Sequence, residues 1–419
     1  MANKWIEDRF GSLVRFVPEK SQAMDANIST YISTENMLSN FGGIAPACSL
    51  PLSGRVTRFK VGDTLFSNIR TYFKKVWQAK FDGYCSNDVL VFRPENSETL
   101  LRDYLYQICR WEKFTELSVR TSKGAKMPRG DKDALANFKF KVPPVDEQQA
   151  IAHILGTLDD KIELNHRRNQ TLEDMARALF KDWFVDFGPV RAKMEGREPY
   201  LQEEIWRLFP ERLDERGKPK GWDERPLDEI ADFLNGLALQ KFPVTDHDNS
   251  LPVIKIAELR NGISAKSDRA SCDLPTKYVI KNGDFLFSWS GSLLAKFWTE
   301  GDGALNQHLF KVSSSQYPMW FVSYWVYHHL EEFQAIAASK ATTMGHIQRG
   351  HLKDAKTLCP PACALTAMGV VIAPLVEQAI RHELESRTLA QLRDTLLPKL
   401  ISGELRVPEA TQEIEGVLA

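Results

Sequence analysis

The side chains with the clearest chemistry are basic, amide and hydroxyl residues in loops beside short apolar runs of the 419-residue chain. Lys and Arg bind DNA phosphates, whereas Arg and Asn can each form paired hydrogen bonds with a base edge. These residues therefore predict DNA contacts, and the alternative for each loop is a solvated turn. The candidates in the first half of the chain are Asn68, Arg70, Thr71, Lys74 and Lys75 in one loop and Ser122, Lys123 and Lys126 in another. The candidates in the second half are Trp289, Ser290 and Ser292 in one loop and Lys340, Thr342, Thr343, His346 and Arg349 in and after another.

Two further groups have open interpretations. Arg55, Arg58 and Lys60 form a basic strand that suits DNA contact and, equally, an edge strand whose charges prevent aggregation. Trp183 and Phe184 are either an anchor for a partner protein or part of the core at a helix end, and we favour the core.

The sequence has no recognisable catalytic or cofactor motif. It lacks the GxxxxGK[ST] phosphate loop, the HExxH zinc motif, the GxSxG elbow and the GxGxxG dinucleotide motif. The pairs His328–His329 and Cys359/Cys363 have no second pair at metal-binding spacing. We therefore predict no catalytic residue, no metal site and no cofactor in this chain.

Composition and charge bound the class of protein. Hydrophobic residues make up 43% and charged residues 26% of the chain, which excludes extensive low-complexity disorder. The formal net charge is -1, yet residues 1–143 carry 22 Lys and Arg against 15 Asp and Glu. This local excess indicates a polyanionic partner, with chance as the alternative.

The chain is expected to be soluble and cytoplasmic. Its first ten residues are polar, and no uninterrupted apolar run approaches the ~18 residues of a membrane span. The cysteines are expected to be reduced and buried, because none forms a CxxC pair. They are Cys48, Cys85, Cys109, Cys272, Cys359 and Cys363.

An internal repeat organises the sequence. Trp5 recurs as Trp222, and Pro143-Pro144 recurs as Pro360-Pro361, both at an offset of 217 residues. Between these anchors, the motif at 62–67 recurs at 283–288 with an offset of 221. One offset at both ends of the repeat, with small drifts between them, indicates two copies of one fold with short loop insertions.

Each copy ends in a long helical pattern. Apolar residues recur every three or four positions from Ile151 to Leu179 and again from Met368 to Leu396. Polar residues interrupt both stripes, and such residues in a helix–helix seam fix register at a cost in stability. They are Asn165, Asn169, His382 and Ser386. The two helices are predicted to pair as a coiled coil, and the alternative is that each lies on its own domain.

The predicted fold is α+β, with two pseudo-repeated, mixed and strand-rich domains joined by two long helices. The predicted segments are a first domain at 1–143, a central helix at 144–187, a connector with one short helix at 188–220, a second domain at 221–361, a C-terminal helix at 362–405 and a frayed tail at 406–419. Two similar domains on paired helices, with no catalytic motif, suit a binder of a two-part target.

These features resemble the DNA specificity subunits of type I restriction–modification systems, over nearly the whole chain. The resemblance is strongest at 143–152, 158–165, 186–193, 208–210, 221–222 and 396–405. The chain departs from the pattern in two ways. The second domain, 221–361, carries 14 Lys and Arg against 16 Asp and Glu, so its attraction for DNA must come from local patches. In addition, the second helix begins Ala364-Leu365-Thr366-Ala367 where the first has Glu147-Gln148-Gln149-Ala150. This departure questions a symmetric contact with two identical partner subunits.

The resemblance implies a non-catalytic subunit for sequence recognition. Each domain would be a target recognition domain for one part of a bipartite target in double-stranded DNA, and the helices would form an antiparallel coiled coil that sets the gap. Two methyltransferase subunits using S-adenosylmethionine would bind the conserved regions, and restriction/translocase subunits using ATP and Mg would join them. Two alternatives remain: a coiled-coil protein-interaction scaffold without DNA specificity, and an enzyme with an unrecognised site.

Overall fold

The computed structural model describes residues 5–244, 249–339 and 345–418. The chain divides into two compact units. The first unit comprises Met1–Ile162 and Thr388–Ala419, and the second comprises Glu163–Arg387. Each unit therefore contains one strand-rich domain and a stretch of each long helix.

The strand-rich part of the first unit has three sheets, ordered β2-β9-β6-β7, β3-β5-β8-β4 and β1-β10. The strands are β1 (Ile6–Arg9), β2 (Val14–Phe16), β3 (Lys20–Gln22), β4 (Tyr31–Ile32), β5 (Arg55–Phe59), β6 (Thr64–Ser67), β7 (Val76–Gln78), β8 (Gly83–Cys85), β9 (Val89–Pro94) and β10 (Lys139–Val142). The accompanying α-helices are Phe10–Leu13, Arg102–Arg110, Glu112–Arg120 and Lys132–Ala136. The β6 strand is buried along its whole length, including its polar ends Thr64 and Ser67.

The second unit repeats this plan with sheets ordered β12-β19-β16-β17, β14-β13-β18-β15 and β11-β20. The strands are β11 (Asp223–Pro226), β12 (Asp232–Asn235), β13 (Ser250–Ile254), β14 (Arg269–Ser271), β15 (Val279–Ile280), β16 (Phe285–Ser288), β17 (Ala295–Phe297), β18 (Gly303–Leu305), β19 (Leu309–Ser313) and β20 (Lys356–Cys359). Its α-helices outside the long pair and the connector are Leu227–Ile230, Ile256–Asn261, Met319–Ser339 and Arg349–Asp354.

The two copies differ at one strand. Both contain a three-stranded arrangement with one parallel pair, β4–β8 in the first unit and β13–β18 in the second. The shared strands are β5-β8-β4 in the first unit and β15-β18-β13 in the second. The fourth strand pairs with opposite edges of this arrangement, because β3 pairs with β5 whereas β14 pairs with β13. The repeat predicted from the offsets is therefore confirmed, with a change at the sheet edge.

The two long helices span Val145–Phe180 and Ala362–Ser402, and a π-helical turn at Lys181–Val185 extends the first. Within the second unit, the Asn165 amide donates to Glu385, whereas the Asn169 amide donates to the carbonyl of Ala379. A higher residue number on one helix thus faces a lower one on the other, so the pair is antiparallel. Within the first unit, Leu155 and Leu158 share a core with Leu392 and Leu396.

The polar interruptions of the helical stripes lie in the seam, as predicted. Asn165, Asn169, His382 and Ser386 are all buried. Nδ1 of His382 lies 3.0 Å from Oδ1 of Asn169 across the two helices. A buried polar layer of this kind penalises any shift in helix register, because a shift would separate its partners.

The sequence-based expectation was wrong in four places. The connector has two short helices, Gly188–Met194 and Glu203–Trp206, rather than one. The tail forms a helix, Val407–Leu418, with Ala410 fully buried, rather than a frayed end. The β5 strand is paired on both sides, so its arginines do not lie on an edge strand. Three cysteines are exposed, namely Cys48, Cys272 and Cys363.

The second long helix bears on the expectation that the chain has no membrane span. Ala362–Ser402 is long and apolar enough to cross a membrane by length and composition alone, with 22% of the relevant window buried. Leu365, Met368 and Ile372 of this helix pack in the core of the second unit. One such helix is weak evidence of a membrane span, because helices of other kinds pass the same test of length and composition.

Candidate DNA interface

The two predicted loops of the first domain lie side by side. Backbone N–H groups of Lys123 and Arg129 each donate to the carbonyl of the other, at 2.9 Å. The N–H of Arg70 donates to Pro128, and that of Gly130 donates to Asn68. We call the surface formed by residues 67–75 and 121–131 the first platform. The structure therefore joins two groups of candidates that lie about 50 residues apart in the sequence.

The second domain builds the same arrangement at equivalent positions. Ser290 forms an isolated β-bridge with His346, as Ile69 does with Arg129 in the first domain. The offsets are 221 for the first residue of each bridge and 217 for the second, the values found in the sequence repeat. Further support comes from the N–H of Gly291, which donates to Gly345 at 2.7 Å. We call residues 288–292 and 345–349 the second platform.

Four basic side chains are exposed on the first platform: Arg70, Lys123, Lys126 and Arg129. Lys123 pairs with Asp131 at 2.6 Å while 82% of its side chain stays exposed, and this partner raises the pKa of Lys123. Arg129, which the sequence analysis missed, pairs with Asp88 at 2.9 Å. Its signal was its place in the Lys-rich segment 123–129. Such solvent-facing cations can exchange these weak partners for phosphates.

The remaining candidates of the first domain support the loops instead of forming the exposed surface. Asn68 and Thr71 are buried, and the Asn68 amide donates to the carbonyl of Gly130 at 3.2 Å. Gly130 is needed here, because a Cβ at that position would lie 2.7 Å from Oδ1 of Asn68. A DNA contact by Asn68 or Thr71 would therefore require the loop to open.

Lys74, Lys75 and Ser122 also have local partners. Lys74 pairs with Glu112, and Nζ of Lys75 donates to the carbonyl of Thr34 at 2.6 Å. Burial lowers the pKa of Lys75. The Ser122 hydroxyl donates to the carbonyl of Ser118. These contacts favour a role in shaping the platform.

Backbone strain is concentrated next to the first platform. Of the five described non-glycine residues with positive φ, four lie here: Asn40, Phe41, Arg70 and Lys74. The N–H of Asn40 donates to Phe73 and that of Phe41 to Lys74, both at 2.9 Å. Left-handed non-glycine residues persist only where the surroundings hold them, and they cluster at functional sites.

The second platform is mainly aromatic and polar, and its exposed cation is Arg349. Trp289 donates from Nε1 to Oδ1 of Asn235 at 2.8 Å, and its ring meets His346 edge-on at 6.3 Å. Ser290 is buried, with its hydroxyl 2.9 Å from Nδ1 of His308, a residue that the sequence analysis missed. Ser292 is exposed.

Arg349 is the last residue of the second platform. The Arg349 guanidinium donates to the carbonyl of Phe233 and lies over the ring of Phe310. Lys340, Thr342 and Thr343 lie outside the described residues.

The polar opening of the first long helix has an internal role. Glu147 accepts hydrogen bonds from Nε1 of Trp5 at 2.8 Å and from Arg406 at 2.6 Å. Gln148 is fully buried: its carbonyl accepts from the N–H of Leu101, and its amide donates to the carbonyls of Thr99 and Pro143. The equivalent residues of the second helix, Ala364 and Leu365, are buried apolar residues. This departure from the repeat therefore changes the protein interior at these two positions.

Trp183 and Phe184 belong to the core of the second unit, with exposed fractions of 1% and 0%. The core interpretation favoured from the sequence is confirmed. Within residues 5–244, 249–339 and 345–418, no three His, Cys, Asp or Glu side chains are grouped so that they could hold a metal ion.

Comparisons with known proteins identify relatives along both copies. The family model described as "Type I restriction modification DNA specificity domain" matches residues 30–174 and 219–393. The chain is 28% identical over 320 residues to the type I restriction enzyme MjaIX specificity subunit of Methanocaldococcus jannaschii, covering 74% of this chain and 70% of the relative. It is 23% identical over 458 residues to the HindI specificity subunit of Haemophilus influenzae, covering 96% and 99%.

A solved structure shares the fold. The S subunit of a type I restriction–modification system from M. genitalium aligns over 95% of this chain and 96% of its own, with a TM-score of 0.55 and 13% identity.

Proposed function

The chain belongs to the type I restriction–modification DNA specificity family, and on that basis we propose that its two platforms recognise the two parts of a divided DNA target. The chain acts as the non-catalytic subunit that selects the sequence. The first platform binds through Arg70, Lys123, Lys126 and Arg129. The second binds through Ser292, Trp289 and His346, and Arg349 supports it.

The equivalent β-bridges at 69/129 and 290/346 carry this proposal. Each bridge joins two loops that come from distant parts of one domain, and the platform that results is present in both domains. Duplication of a surface on paired helices suits a target with two parts. The exposed cations of the first platform suit the phosphates that dominate DNA affinity.

The other components of the complex follow from the family. We propose that two methyltransferase subunits bind the conserved helical regions and that restriction/translocase subunits join them in the cytoplasm. S-adenosylmethionine, ATP and Mg would then belong to those partner subunits. The partners supply catalysis, and this chain supplies sequence choice.

The primary test is methylome sequencing of cells that express the chain with its neighbouring methyltransferase gene, against cells that lack only this chain. We expect N6-methyladenine at a two-part motif that disappears on deletion. An unchanged methylome, with the methyltransferase shown to be expressed, would reject the proposal and favour a protein-interaction scaffold.

A second test separates the two kinds of contact on the first platform. Lys126→Ala in the assembled complex should weaken binding to cognate and non-cognate DNA alike and reduce the slope of log affinity against log salt by about 1. Lys139→Ala, which removes an exposed lysine on β10 outside the first platform, is the matched control. An unchanged slope would exclude Lys126 as a phosphate contact.

Arg129→Ala tests base recognition. If Arg129 contacts a base edge, its loss should relax discrimination at one base pair by about 1–3 kcal/mol. A uniform loss of affinity across sequences would instead assign Arg129 to phosphate.

A further inference from the structure

A buried arginine ties the first domain to both long helices. Arg110, at the end of the helix Arg102–Arg110, is 4% exposed. Its guanidinium donates from Nη1 and Nη2 to the two carboxylate oxygens of Asp159 on the first long helix. Arg393 of the second long helix donates to Oδ1 of the same carboxylate at 2.8 Å. We call Arg110, Asp159 and Arg393 the Arg110 cluster.

The Arg110 cluster also contacts the strained segment behind the first platform. The guanidinium lies over the ring of Phe41 at 5.0 Å and over that of Tyr106 at 5.2 Å. Phe41 has a φ of +61° and donates its N–H to Lys74 of the platform. Contacts therefore run without a break from the long helices through Arg110 and Phe41 to the loop that carries Arg70.

The second domain has no such cluster at the equivalent positions. With the offset of 217, Arg110 corresponds to Tyr327, Asp159 to Val376 and Arg393 to Ala176. Tyr327 and Val376 line a cavity of about 420 Å³ instead. The shared fold is therefore compatible with the absence of the Arg110 cluster, which is a feature of the first domain.

We propose that Arg110 is a positioning residue, which holds the first platform in its DNA-recognition geometry by fixing Phe41 and the Arg70–Lys74 turn against the helix pair. This inference rests on the proposed function. Arg110 itself is buried and does not contact DNA. The planar guanidinium is needed because two of its N–H groups bind the Asp159 carboxylate while its face lies over the two aromatic rings. A lysine ammonium does not do both.

The test compares Arg110→Lys and Arg110→Met with Tyr327→Phe, the matched control at the equivalent position of the second domain. The first readout is the methylome motif produced by each variant with its methyltransferase partner. Both Arg110 variants should relax base discrimination about 3- to 30-fold in one part of the two-part motif and leave the other part unchanged. Tyr327→Phe should leave both parts unchanged.

The second readout is hydrogen exchange of the chain without DNA. The amides of residues 39–42 and 69–75 should exchange faster in both Arg110 variants, whereas those of 289–294 should not change. Equal relaxation of base discrimination in both parts of the motif, or unchanged exchange at 69–75, would overturn the positioning role. If Arg110→Met fails to fold, Arg110→Lys and Asp159→Asn still give both readouts.

Failure of this inference is distinguishable from failure of the proposed function. If the wild-type chain determines no two-part motif, the proposed function fails, whatever the variants do. If it determines such a motif and the Arg110 variants leave discrimination in both parts intact, only the positioning role fails.

Discussion

The polar layer of the helix pair allows a quantitative test, for which Asn169→Ala is the sharpest change. Asn169 is 4% exposed and forms three contacts across the seam. Its amide donates to the carbonyl of Ala379 and to Oε1 of Glu383, both at 3.1 Å. Its Oδ1 lies 3.0 Å from Nδ1 of His382. Truncation to alanine removes all three contacts and leaves His382 in place.

The expected cost follows from the surroundings of each contact. A typical hydrogen bond contributes about 0.5–1.5 kcal/mol net, and leaving a buried partner unsatisfied costs more. Glu383 is exposed, so water replaces much of its loss, whereas Nδ1 of His382 is buried. We therefore expect Asn169→Ala to destabilise the helix pair against local opening by about 2–3 kcal/mol. This loss corresponds to a roughly 30- to 150-fold rise in the local opening equilibrium constant.

Hydrogen exchange of the helix amides at 165–172 and 379–386 measures this opening without assuming that the whole chain unfolds in one step. The matched control is Gln170→Ala, an exposed neighbour whose amide donates to Asp174 within the helix. A double-mutant cycle with His382→Ala should give a coupling energy of about 1 kcal/mol. Equal exchange for Asn169→Ala and Gln170→Ala, or additive effects in the cycle, would refute the polar layer as a source of register.

Three other predictions concern residues with close neighbours inside the protein. Gln148→Ala should lower the free energy of unfolding by about 2–3 kcal/mol, because three backbone groups lose their hydrogen-bond partner. The exposed Gln149→Ala should change this free energy little. Thermal unfolding measures both variants, and equal unfolding midpoints would contradict the internal role of Gln148. Gly188→Ala should destabilise the protein by about 1–3 kcal/mol, because the Cβ of the new alanine would lie 1.9 Å from Oδ1 of Asp182. The control in the same thermal assay is Gly350→Ala, whose Cβ would meet no neighbour within 4 Å. Burial raises the pKa of the Cys85 thiol to about 12, so Cys85 should react with a maleimide at pH 8 only after unfolding; rapid native labelling there would show that its site is open. The exposed thiols that should react in the native state are Cys48, Cys272 and Cys363.

The repeat and the long helices were predictable because both depend on patterns that can be read from the order of residues alone. Apolar residues every three or four positions indicate a helix wherever that helix packs. Asn165 and Asn169 interrupt the stripe and lie in the seam, because a polar residue at a stripe position faces the partner helix. The expected pairing of the helices follows from the same stripes.

The composition of the platforms was not predictable to the same degree. Loop sequence shows which side chains could bind DNA, but it does not show which side of the loop each one occupies. Asn68, Thr71 and Ser290 are buried although their neighbours Arg70 and Ser292 are exposed. The difference depends on long-range partners such as Gly130 and His308, which no local pattern reveals. Arg129 lay in the basic segment 123–129, but only its β-bridge with Ile69 places it beside the first loop.

The comparison of the two copies separates what the fold requires from what each domain has acquired. The bridges 69/129 and 290/346 occupy equivalent positions, although their residue types differ completely. Ile69 and Arg129 correspond to Ser290 and His346, so backbone geometry is retained where side-chain chemistry has changed. In the first domain, the exposed side chains around the bridge are mainly cations. In the second domain, the side chains around the bridge lie next to the aromatic ring of Trp289. A platform whose backbone is shared and whose side chains differ fits the proposed recognition of two different base sequences, because base contacts carry specificity and the scaffold carries only position.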